Sequence, residues 1–156
     1  MDTVTVGNAG ECFVAGELMR RGFTVGFTLT NTPDYDILAI NKTDPKRQLA
    51  IQVKTSNDTY LTASGKERKL HKWRLTEKAE TLQSDNMYYV FVILNGLDMP
   101  QYYIVPSKIV AETVKKEYEE WLKQPGSKGQ PHKDNNVRNF ISYNDEYKDN
   151  WNVLRQ

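Results

Sequence analysis

From residue 7 to residue 21 the apolar positions recur at helical spacing. With residues placed about 100° apart, Cys12, Val14, Ala15, Leu18 and Met19 share one arc, which predicts a helix with Cys12 as a small core residue. Glu17, Arg20 and Arg21 fall opposite, with Phe13 as an exception, and Gly22 is the expected terminator. Strand-like runs follow at 23–29, 37–40 and 49–55, separated by turn residues at 31–34 and 41–47. Residues 57–69 are polar and read as a loop, 73–75 as a short strand, and 77–82 as a short helix capped by Thr76. The run MYYVFVIL, 87–94, has no polar alternation and predicts a strand buried on both faces. A strand at 101–105 ends at Pro106, and Ser107 is placed to cap a helix over 108–123. A Gly/Pro/Lys-rich connector spans 124–136, and the aromatic tail reads as a strand or turn and a short helix docked on the body. This order predicts an α/β domain with a mixed sheet and helices on both faces.

Two positions break the pattern. Glu11 lies inside the apolar arc of the first helix, where a carboxylate is costly unless a cation or donor meets it. In the 49–55 strand, Leu49, Ile51 and Val53 point to one face, and Ala50, Gln52 and Lys54 to the other. A lysine in so apolar a strand needs an anionic partner. Asp36, at the head of the preceding strand, is a short connection away and can meet it across a hairpin.

Composition narrows the classes. The chain has 156 residues, 38% hydrophobic and 26% charged, with a net charge of +1. That describes one ordinary globular domain, in which any anionic partner must be met by a local patch. A single cysteine excludes an internal disulfide and fits a reducing, cytoplasmic setting. No apolar run approaches membrane-spanning length, and no signal peptide is expected. His71 and His132 lack ligand-spaced partners, so a structural zinc site is not expected. The densest basic stretch holds Lys66, Arg68, Lys69, Lys72, Arg74 and Lys78; against Glu67 and Glu77 these leave a local charge of +4. Such a stretch suits DNA phosphates, while Trp73 and Leu75 can equally anchor it in the core.

Two carboxylates and an amide oxygen suit a hard divalent cation such as Mg²⁺, and a neighbouring lysine can assist hydrolysis at phosphorus. Patterning alone leaves a second option, a structural cluster in which Glu11 pairs with Lys54 and Asp36 caps a turn. Pro33-Asp34-Tyr35-Asp36 followed by Gln52-Val53-Lys54, with Gly7-Asn8-Ala9-Gly10-Glu11 in front, resembles the PD-(D/E)xK nuclease superfamily, over roughly residues 7–106. It looks most like a QxK variant near the Holliday-junction resolvases, Mrr-type restriction enzymes and intron homing endonucleases. The resemblance implies a restriction-endonuclease-like core in α-β-β-β-α-β order and a Mg²⁺-dependent DNA endonuclease, with Mn²⁺ as a substitute. It implies Asp36 as main metal ligand, Glu11 as second acid, Gln52 in the place usually held by Glu or Asp, the Val53 carbonyl as a further ligand, and Lys54 as catalytic lysine. Asp36 is preferred to Asp34 because it abuts the strand.

Residues 1–123 are then the nuclease-like part, and 124–156 a linker and tail packing on the same domain. A duplex has two strands to cut, so a homodimer or larger symmetric oligomer is expected by analogy. The rival readings are a non-catalytic DNA-binding or partner-binding module that keeps the fold, favoured by glutamine at 52, and a nuclease subunit of a restriction or defence complex.

Overall fold

The computed structural model describes residues 2–29, 34–57, 60–62, 69–143 and 145–155, with 60–62 and 69 as backbone alone. Helix α1 (Thr3–Arg20) is followed by strands β1 (Phe23–Phe27), β2 (Ile37–Asn41) and β3 (Gln48–Asn57). Strands β4 (Tyr60–Thr62) and β5 (Lys69–Thr76) lead to a 3-10 turn (Glu77–Glu80), then to β6 (Met87–Leu94) and β7 (Gln101–Pro106). Helix α2 (Ser107–Lys123), strand β8 (Val137–Ser142) and a second 3-10 turn (Trp151–Arg155) complete the described elements.

Five strands form a sheet in the order β1-β2-β3-β6-β7; β3 and β6 run parallel, and the other pairs are antiparallel. All eight residues of β6 are buried, as its unbroken apolar run requires. A parallel neighbour needs a crossover, and the chain between β3 and β6 supplies it through β4, β5 and the first 3-10 turn. On one sheet face Val90 and Val92 join Ile51 and Val53 beneath Val14 and Leu18 of α1, and Leu154 closes that cluster. On the other, Tyr89 and Phe91 pack with Trp73, Phe140 and the α2 residues Val110 and Val114. Helices therefore cover both faces of a mixed sheet, and the α/β architecture is as expected. No helix among the described residues is long and apolar enough to cross a membrane.

A second sheet, β4-β5-β8, was not anticipated. The expected loop at 57–69 contains β4, and the short strand at 73–75 is the end of an eight-residue one. Its strand character comes from pairing with β8, more than 60 residues later in sequence, as His71 opposite Ser142 shows. Trp73 fixes this sheet to the first: its indole N–H donates to the Val92 carbonyl at 3.0 Å, and its ring lies 5.0 Å from that of Phe91. The tail is part of the body, with Phe140, Trp151 and Leu154 all buried.

Several local expectations are corrected. Helix α1 starts at Thr3, four residues early, because Asp2 caps it by accepting the Thr5 N–H at 3.0 Å. Cys12 is exposed and Met19 half-exposed, because α1 buries only the narrow stripe of Val6, Gly10, Val14, Ala15 and Leu18. Ser107 is the first residue of α2, with Pro106 in the cap position. Its hydroxyl instead bridges both backbone groups of Ser84, at 3.0 Å each. Thr76 precedes a 3-10 turn and makes no side-chain capping bond. Gly22 does end α1 at φ +91°, with its N–H on the Met19 carbonyl.

Candidate active site

Strand β2 is half as long as β3. It pairs with β3 only as far as Ile37 opposite Ile51, while β3 runs on to Asn57 beside β6. The edge of β3 beyond Ile51 therefore lacks the β2 strand, and an unmet strand N–H needs another acceptor. Asp36 provides it. Its backbone is clamped on both sides: its N–H donates to the Ile51 carbonyl and its carbonyl accepts the Thr28 N–H, both at 2.9 Å. The carboxylate Oδ2 then accepts the Val53 N–H at 2.7 Å and the Gln52 side-chain amide at 2.5 Å. An ionised carboxylate only accepts, so the amide presents its nitrogen. Among the described residues, Asp36 Oδ1 and Gln52 Oε1 carry no hydrogen bond.

Strand alternation holds as expected. Leu49, Ile51 and Val53 enter the α1 core, while Ala50 lies on the opposite face, the side on which Gln52 and Lys54 line a cleft. Helix α1 lies on the Leu49, Ile51 and Val53 face of the sheet, opposite the one that carries Gln52 and Lys54. Glu11 comes near from behind, because Gly10 lets α1 press onto the extended end of β3. A Cβ at Gly10 would stand 1.8 Å from the Thr55 hydroxyl oxygen. Glu11 is half-buried there and feels both Asp36 and Lys54.

The electrostatics are those of anions held partly out of water. Burial pushes the Glu11 carboxyl above its ordinary range, Asp36 adds to the rise, and Lys54 opposes it. Burial also raises Asp36, against the Val53 hydrogen bond and Lys54. Two acids that resist ionisation beside free carboxylate and amide oxygens suit a cation. Among the described residues no three His, Cys, Asp or Glu side chains cluster for a metal. Asp36 and Glu11 are the carboxylates that could hold a hard divalent cation, which binds through one or two carboxylates and keeps other positions for water or phosphate.

Gln52 and Lys54 open into a cleft of about 380 Å³ between the two sheets, also lined by Asp34, Arg74, Lys78 and Tyr89. Three cations face one carboxylate in that lining. Arg74 thus lines the same cleft as Lys54, while Lys72 is half-buried on the same strand. Lys66 and Arg68 lie outside the described residues, as does the side chain of Lys69.

Sequence reasoning did not place Tyr89 in the site, set Asp34 aside in favour of Asp36, and named Lys78 only as part of the basic stretch. Tyr89 sits opposite Gln52 on β6, and its hydroxyl is pushed up to about 12 by burial, then by Asp34 and Asp36. It had looked like plain sheet core. Asp34 holds φ +97°, uncommon for a residue with a Cβ, and ion-pairs with Lys78.

No family model and no curated protein matches this chain. Solved structures do resemble it. A bacterial homing endonuclease, I-Ssp6803I, superimposes with a TM-score of 0.54 over 98% of this chain and 91% of its own, at 11% sequence identity. A Holliday junction resolvase, Hjc of Archaeoglobus fulgidus, superimposes with a TM-score of 0.43 over 86% of this chain and 82% of its own, at 15% identity, too loosely to add to that. At such identities the likeness is one of fold: this chain shares the architecture of I-Ssp6803I.

Proposed function

We propose that this protein is a divalent-metal-dependent DNA endonuclease. The observation that carries the reading is the seating of Asp36 on Gln52 and Val53 at the notch of the sheet, beside Lys54 and a cleft lined by three cations. The shared fold with a homing endonuclease supports it. Asp36 Oδ1, Glu11, Gln52 Oε1 and the Val53 carbonyl are the candidate ligands, and Mg²⁺, or Mn²⁺ in its place, would supply Lewis-acid charge for hydrolysis of a phosphodiester. Gln52 orients Asp36 without adding charge. Lys54 and Arg74 neutralise the phosphate, and the Lys54 ammonium sits where negative charge develops in the transition state. A homodimer would present a second site to the other strand of a duplex.

The test is to incubate the purified protein with plasmid, branched and single-stranded DNA in Mg²⁺ or Mn²⁺. Cleavage lost in both Asp36→Ala and Lys54→Ala is the expected result; cleavage surviving both sinks the site. A second reading, a DNA-binding module without catalysis, is favoured by the neutral Gln52, which leaves Glu11 and Asp36 as the only acids among the candidate ligands. Salt-dependent binding with no metal-dependent cleavage would select it.

A further inference from the structure

The cleft holds a cation that the hydrolytic set does not use. Lys78 stands on the Glu77–Glu80 turn and pairs with Asp34. The turn is a fixed base: Ala79 is buried, the Glu77 N–H donates to the Asn136 carbonyl at 2.9 Å, and Glu80 pairs with the buried Arg138. The Lys78 side chain is 52% exposed, whereas the Asp34 Oδ1 that it meets is buried and has no other hydrogen-bond donor among the described residues. Lys78 is therefore the member of the pair that solvent and other anions can reach. Asp34 keeps a backbone conformation that costs free energy, and such outliers gather at functional sites. Asp34 and Lys78 lie in the same cleft as Gln52 and Lys54.

We propose that Lys78 binds a phosphate of the DNA strand in this cleft, and that Asp34 is the built-in competitor for that lysine. The inference rests on the DNA reading above but not on cleavage. A phosphodiester carries one negative charge, as the Asp34 carboxylate does, so the exchange leaves Lys78 paired throughout. Asp34 loses its partner and faces the incoming strand. A strand that also engages Lys54 and Arg74 outweighs this opposition, whereas a lone anion does not. Asp34 therefore raises the threshold for entry, and Lys78 positions the strand once it is in.

The two residues then have opposite effects on binding, and a direct phosphate contact by Lys78 also changes the salt slope, which a purely structural ion pair does not. Affinity for a fluorescent DNA duplex is measured in chelator across a salt series for the wild type, Lys78→Ala, Asp34→Asn and the double variant. Asparagine tolerates the positive φ, and melting temperatures confirm folding. Lys78→Ala is expected to bind about fivefold more weakly, with a slope of log K against log salt shallower by about 0.9. Asp34→Asn is expected to bind more tightly than the wild type, and the double variant more tightly than Lys78→Ala while keeping its shallower slope. Wild-type affinity and slope in Lys78→Ala, weaker binding in Asp34→Asn, or no duplex binding by the wild type would each overturn it. Cleavage requiring Asp36 and Lys54, with binding indifferent to Lys78, refutes this inference alone. The predicted binding pattern without any cleavage refutes only the nuclease reading.

Discussion

Gln52 does something a carboxylate in its place could not: it donates to Asp36. A glutamate there would set two anions about one hydrogen-bond length apart, a repulsion that a divalent cation would turn into an attraction. Gln52→Glu should therefore melt at a lower temperature than wild type in chelator. In cleavage assays it should reach half-maximal rate at a lower Mg²⁺ concentration. Equal melting temperatures in chelator would show that Gln52 and Asp36 are not coupled as described. Glu11 contributes to the pH dependence, as Asp36 does. The folded pKa of Glu11 is raised by burial first and Asp36 second, so the folded state holds its proton to higher pH than the unfolded chain does. Stability contributed by the protonated form is lost as pH rises from the ordinary glutamate range through the raised value. In metal-free buffer, Glu11→Gln should melt higher than wild type at neutral pH. The gain should vanish below about pH 4, where glutamate is protonated in both states. A gain that grows toward low pH would contradict the sign.

At the scale of elements, the site depends on how closely α1 can lie on β3. Gly10 is buried and faces Thr55, and any Cβ there overlaps the threonine side chain. Gly10→Ala must push helix from strand and should lower the free energy of unfolding by about 1–3 kcal/mol, measured by urea denaturation. Thr55→Ala should recover part of that loss, because the shortest contact is to the hydroxyl. Since the helix carries Glu11, cleavage should fall more in Gly10→Ala than its folded fraction explains. On the other sheet face the Arg138 guanidinium stacks 3.3 Å over the Tyr118 ring while pairing with Glu80. One buried arginine thus ties β8, α2 and the Lys78 turn together.

For the whole molecule, the distinctive feature is that the last strand completes a sheet begun by β4 and β5. Ending the chain after Asn136 would remove Arg138, Phe140, Trp151 and Leu154, all buried. Losing one large aromatic from a core costs about 3–5 kcal/mol, and total stabilities run to only about 5–15 kcal/mol. The truncated chain should show no cooperative melting and no near-UV circular dichroism. A stable truncated fold would mean that the β5–β8 pairing is dispensable. The tail is thus core first, and any role at an interface would fall to exposed positions such as Tyr143.

What the sequence determined by itself was whatever is written in local periodicity. The buried β6, the two faces of β3, the Val14, Ala15 and Leu18 part of the α1 stripe and the turn at Gly22 all follow from spacing, because side-chain direction along a helix or strand is set by backbone geometry. The same rule made Glu11 and Lys54 stand out as misplaced charges. What only tertiary structure decided was anything that depends on residues far apart in the chain. The second sheet needs β8 to give β5 a partner, so residues 57–69 looked like loop. Cys12 looked like core because periodicity cannot say how wide a stripe the sheet will cover. Tyr89, Arg74, Lys78 and Asp34 share a cleft only because a crossover brings β5 and the Glu77–Glu80 turn against β3 and β6. Glu11 sits behind the sheet, not on the Lys54 face, and it comes near Asp36 only because β2 stops short of β3. Sequence could mark Asp36, Gln52 and Lys54 as neighbours, but the notch that gathers them is a property of unequal strand lengths.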